Sequence, residues 1–272
     1  MPKRTPFPSV PQAALLLLAG FLLQYVFITA LYDLRWLLGL TREQLTTIGT
    51  LLSNGVLIAV VMHILGIGHK ELLHPSNSSP IATFLFLVPP TLLLLPLIVL
   101  LDIALNWALE AIFPVSSWEH AALASMVEPT LPAFVATCLV APFVEEMLFR
   151  GILLRSFLQR HPRGAAISYS ALYFGAAHLN VYQFFLAFLL GLLLGWLYER
   201  SRSLIPCIAL HAAVNLTVFV WSTAQDAATV HSLSDIPALA WPAAVAAAAV
   251  GAFVLHRLLS RRENAGADTA SA

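Results

Sequence analysis

Two adjacent carboxylates and an arginine stand inside a long apolar run, and this feature constrains the fold more than any other in the chain. The run extends from Leu131 to Val144, meets Glu145 and Glu146, passes Met147-Leu148-Phe149 to Arg150, and resumes at Ile152-Leu153-Leu154. Turned toward lipid, each ionised group would cost about 2.5–3.5 kcal/mol on insertion scales. The segment suits a membrane only if those side chains face one another, a wet cavity, or polar groups on other helices. The rest of the chain points to a membrane. Of 272 residues, 59% are hydrophobic and 10% charged, whereas a soluble domain carries about 25% charged residues. The chain reads as a polytopic membrane protein.

Eight apolar stretches lie at roughly 11–32, 45–66, 81–105, 131–155, 164–179, 182–199, 203–222 and 237–258. A bilayer crossing needs about 20 residues, so the fifth and sixth are short and are expected to form a hairpin that does not fully cross. Pro89, Pro90 and Pro96 predict a kinked or broken third span. Zero net charge argues against a nucleic-acid partner, which demands a basic face. Cys138 and Cys207 sit in apolar stretches and read as small hydrophobes. With the N-terminus inside, eleven Lys and Arg residues fall in inner segments, and only Arg35 and Arg42 fall outside. The positive-inside rule then places both termini in the cytoplasm.

Residues four apart share a helix face. Glu146 and Arg150 can therefore pair, while Glu145, about 100° further round, is left free to act. A purely structural ion pair would account for Glu146 and Arg150 but not for Glu145. Two further pairs have the same spacing, Phe174 with His178 and His211 with Asn215. At 1.5 Å per residue, Glu145, His178 and His211 lie roughly 15, 20 and 12 Å in from the cytoplasmic ends of their helices. Three helices thus bring polar groups to one layer. Asp102, Asn106 and Glu110 form a separate stripe that reads as a solvated face, and Gly191-x3-Gly195 reads as a packing face.

A glutamate and two histidines around a cavity suit two chemistries. A zinc ion held by Glu145, His178 and His211 would lower the pKa of a bound water. Alternatively Glu145 with His178 takes a proton from water, and His211 and Asn215 donate hydrogen bonds to the oxyanion that forms. Both hydrolyse an amide, and the residues required are the same. A Cys207–His211 thiol dyad is a third option, but it leaves Glu145 and His178 idle.

Glu145-Glu146-x3-Arg150, Phe174-x3-His178 and His211-x3-Asn215 resemble, in order and spacing, the three motifs of the CPBP family of intramembrane proteases. That family includes CAAX prenyl endopeptidases and bacteriocin-processing relatives. The resemblance covers about 80 residues from Phe143 to Val220. It implies an all-α protein of about eight transmembrane helices around an intramembrane active-site cavity. Glu145, His178, His211 and Asn215 would be catalytic, with Glu146, Arg150 and Phe174 supporting. The expected organisation is an N-terminal set of three helices without motifs (1–130), a catalytic core (131–222), a last helix (223–260) and a disordered tail (261–272). The expected activity is endopeptidase cleavage of a membrane-associated or lipidated protein or peptide. Two rivals of other classes are a transporter or proton channel, since mid-membrane Glu, His and Arg also describe proton relays, and a non-catalytic immunity or scaffold protein.

Overall fold

The protein is described by a computed structural model over residues 6–224 and 236–270. Lys3 and Arg4 of the basic count, most of the segment leading into the last helix, and residues 271–272 of the tail lie outside the described residues. Within them there are no strands, and nine longer helices carry the fold. These are α1 (Val10–Asp33), α2 (Arg42–Leu65), α3 (Pro80–Leu92), α4 (Leu95–Ile112), α5 (Leu131–Phe157), α6 (Arg163–Ala176), α7 (Val181–Ser201), α8 (Ile205–Ala224) and α9 (Ala240–Ala270). Seven of them, all but α3 and α6, are long and apolar enough to cross a membrane. The protein is an all-α integral membrane protein.

Local chemistry explains where these helices start and stop. Ser9 and Thr41 each open a helix with a reciprocal cap, to Gln12 and Gln44 respectively, which satisfies two otherwise bare backbone donors. The third apolar stretch becomes two helices. Pro89 and Pro90 withhold two N–H groups, α3 stops at Leu92, and α4 restarts with Pro96 in its first turn, where a missing donor costs nothing. The stretch also runs on to Ile112, beyond the expected end near 105. The hairpin of α6 and α7 forms as expected, with α6 only 14 residues long, but α7 has 21 and is long enough to cross. The last helix continues to Ala270, past residue 261 where a disordered tail is expected. Arg261, Arg262, Glu263 and Ala265 are good helix formers and extend it.

The largest departure from the sequence reading lies in α5. The chain there is not a regular α-helix: residues 135–140 and 147–154 are wound as π-helix on either side of the α-helical turn Ala141–Glu146. Pro142 sits where the first wide stretch ends. The N–H of Ala141 bonds the carbonyl of Ala136, five residues back. In that register Thr137 should receive the N–H of residue 142, which proline lacks. The Asn215 side chain on α8 supplies the missing donor, with Nδ2 2.9 Å from the Thr137 carbonyl.

Lipid tails are as apolar as leucine, so close packing rather than the hydrophobic effect holds such helices together. Gly191 and Gly195 let α7 lie against α6: a Cβ at Gly191 would stand 3.0 Å from Ala171, and one at Gly195 2.9 Å from Ile167. Leu153, Leu154, Phe157, Leu194, Leu197 and Leu210 are fully buried around α5. Leu15, Leu18 and Leu22 of α1 and Phe84 to Phe86 of α3 are exposed, as lipid-facing side chains are. Helix α1 pairs with α2, α5 lies among α2, α6 and α8, and α9 packs on α3 and α4.

Candidate active site

The two neighbouring glutamates have opposite surroundings. Glu146 has no exposed surface. One of its oxygens, Oε1, accepts from Arg150 Nη1 at 2.7 Å and pairs with His211 Nδ1 at 2.9 Å. Glu145 is part-exposed, with its Oε2 3.8 Å from His211 Nε2. His211 thus stands between the carboxylates, one ring nitrogen turned to each. Glu146 is therefore more than the ion-pair partner that the spacing suggests: it orients an imidazole on another helix. The wider winding after Glu146 leaves no mark in the sequence, but the pair with Arg150 closes across it.

Phe174 ties the buried side of the site together. Its ring is 1% exposed and lies beneath the Arg150 guanidinium, 4.3 Å from centroid to Cζ. It meets the rings of Phe149, His178 and His211 edge-on, at 5.1, 5.2 and 5.4 Å between centroids. Arg150 also donates from Nη2 to the Gly191 carbonyl (3.4 Å). Glu146 Oε2 and Arg150 Nε have no partner among the described residues. The Phe174 carbonyl pairs with His178 Nδ1 at 2.9 Å. A carbonyl only accepts, so His178 carries its proton on Nδ1 and leaves Nε2 as the basic atom.

Glu145 and His178 line one cavity of about 180 Å³. His211 and Asn215 are not among its lining residues. His211 lies behind Glu145, and Asn215 is drawn to the Thr137 carbonyl. Cys207 is fully buried with its Sγ 3.5 Å from the Leu194 carbonyl, which seals the thiol of the Cys207–His211 dyad away from this cavity. Among the described residues no three His, Cys, Asp or Glu side chains are grouped as metal ligands. His178 and His211 both have Nδ1 engaged, by the Phe174 carbonyl and by Glu146, which leaves Nε2 as the ring atom that could hold a metal.

The opposite wall of the cavity has no counterpart in the sequence reading. Gln24 of α1 and Thr50 and Asn54 of α2 face Glu145 and His178 across it, although those helices carry no motif. The available signal is an amide midway along each of two apolar helices, Gln24 and Asn54, with Thr50 and Asn54 four apart.

Residues 127–217 match the family described as Type II CAAX prenyl endopeptidase, Rce1-like. Residues 127–217 thus form a CPBP-family segment. The CPBP segment takes in α5, α6, α7 and most of α8, and with them all seven residues singled out in the sequence. It leaves out α1 and α2, which complete the cavity. No curated protein and no solved structure matches the chain.

Proposed function

We propose that the protein is an intramembrane endopeptidase of the glutamate-dependent kind, acting on a membrane-associated, lipidated polypeptide. The observation that carries this reading is the shared cavity: a part-exposed carboxylate and an imidazole whose Nε2 has no hydrogen-bond partner among the described residues, both on helices of the CPBP segment. Water held between Glu145 and His178 loses a proton to them as its oxygen attacks the scissile carbonyl carbon. The same groups then return a proton to the leaving nitrogen as the C–N bond breaks. The oxyanion needs donors. His211 offers Nε2–H when both ring nitrogens carry protons, with Glu146 taking Nδ1–H. Asn215 offers the second proton of an amide whose first is given to Thr137. Glu146, Arg150 and Phe174 hold His211 and His178 in place and touch no substrate.

The catalytic unit in this reading is residues 131–222, and both termini face the cytoplasm because the basic residues crowd that side. The test is an internally quenched S-farnesyl peptide with a CAAX end, presented to the purified protein in nanodiscs. Glu145→Gln should lower kcat by about 10²–10⁴, the usual contribution of a positioned base, and leave folding unchanged. Undiminished cleavage by the Glu145→Gln variant would reject the assignment. Loss of activity on exhaustive chelation, recovered with zinc, would replace it with metal-assisted hydrolysis.

A further inference from the structure

The Gln24–Thr50–Asn54 wall invites a bland explanation: polar residues in membrane helices often bond one another and so hold helices together. That explanation covers only half of each amide. Gln24 Nε2 reaches Thr50 Oγ1 at 3.1 Å, joining α1 to α2, and Asn54 Nδ2 reaches the Thr50 carbonyl at 3.0 Å. The second contact fixes the Asn54 orientation, because a backbone carbonyl only accepts and the NH₂ must face it. Its Oδ1 is thereby turned away, and among the described residues it receives no hydrogen bond. Gln24 is left with one polar end unpaired in either orientation of its amide. Both residues are half-buried in a cavity whose other lining is mostly apolar, including Leu57, Val144, Leu148 and Phe149. An acceptor without a partner in such surroundings loses free energy that a ligand donor would restore.

We infer that Asn54, with Gln24 beside it, is a substrate-positioning site that accepts main-chain N–H groups of the peptide next to the scissile bond. The inference rests on the endopeptidase reading and adds the part of the substrate this wall recognises. A peptide entering the cavity gives up water at its N–H groups as well as at its carbonyl. Glu145 and His178 address the carbonyl, and carbonyl-type oxygens on the facing wall address the N–H groups. Recognition of the backbone rather than of side chains follows. So does a division of labour, in which α5 and α6 carry the reacting groups while α1 and α2, outside the family match, set the register of the substrate.

The farnesyl CAAX probe tests this through KM and kcat separately. One lost hydrogen bond of this kind corresponds to about a three- to tenfold change. Asn54→Leu and Gln24→Leu should each raise KM by that factor with kcat within twofold, while Val56→Ala, on the exposed face of α2, changes neither. A series of probes N-methylated at single backbone positions should contain one whose KM rises equally for the wild type. That penalty should vanish in Asn54→Leu or Gln24→Leu. Unchanged KM in both leucine variants, or an N-methyl penalty that persists in both, overturns the inference and leaves the endopeptidase reading intact. If Asn54→Leu does not fold, Gln24→Leu with the methylated series decides alone. A folded wild type that cleaves neither the farnesylated nor an unlipidated probe overturns the endopeptidase reading, and this inference falls with it.

Discussion

Two polar cavities of the molecule differ in content, and the larger of the two holds none of the residues proposed to react. Between α4 and α8 a space of about 650 Å³ is lined by Asp102, Asn106, Glu110, Trp107, Thr217 and Trp221, among others. The inner space, about 180 Å³, contains Glu145 and His178. Carboxylates occur in both, so neither volume nor charge separates them. The difference is in how the side chains are held. In the outer cavity Asp102 is bonded by Asn106 (2.6 Å), four residues on in the same helix, and Thr217 bonds back to Ala213. At the inner site His211 of α8 is fixed by Glu146 of α5, Arg150 of α5 by Gly191 of α7, and the α5 backbone by Asn215 of α8. Restraint across helices gives preorganised geometry, and preorganisation is what transition-state stabilisation draws on.

The contrast can be broken most directly at the carboxylates. Asp102→Asn should leave kcat within twofold, against the 10²–10⁴ loss expected for Glu145→Gln. Comparable losses in steady-state cleavage would make the distinction between the cavities wrong. The next largest effect concerns restraint itself. Arg150→Ala leaves the fully buried Glu146 with His211 as its remaining partner among the described residues, and breaking a buried pair in this way costs about 3–5 kcal/mol. Thermal unfolding in detergent should show a large loss of stability along with the loss of activity. A normally folded, normally stable Arg150→Ala protein would mean that His211 suffices to hold the buried Glu146 carboxylate. The smallest effect is at the hairpin tip beside the site. Leu179 adopts φ +56°, a left-handed conformation that costs an L-residue roughly 1–2 kcal/mol. Leu179→Gly should be neutral to about 1 kcal/mol more stable, the relief being offset in part by unfolded-state entropy. A clear drop in Tm would show that the exposed leucine makes contacts worth more than its backbone strain.

Much of this arrangement is legible in the residues alone. Apolar runs and their punctuation mark the helices, and spacings of four mark the Glu146–Arg150 pair. The convergence of Glu145 with His211, 3.8 Å apart, follows from counting depth along three helices. What stays hidden depends on contacts between helices or on winding that leaves no periodic trace. The π stretches of α5 are of this kind, since apolar residues all round the helix show no phase to shift. The double engagement of Glu146 is hidden because spacing reports only partners within one helix. Gln24, Thr50 and Asn54 do not stand out because single polar residues in apolar spans have no motif to mark them; only the fold shows that they meet opposite a carboxylate.

The Thr137–Asn215 contact has a mechanical consequence. Where proline interrupts the ladder of one helix, an amide from its neighbour bonds to it, so the N-terminal half of α5 and the middle of α8 are joined by a side-chain-to-backbone bond. Parting those two rods at that height would break the Asn215–Thr137 bond and leave the amide to find another acceptor. A polypeptide passing between α5 and α8 at that height would have to break this bond first.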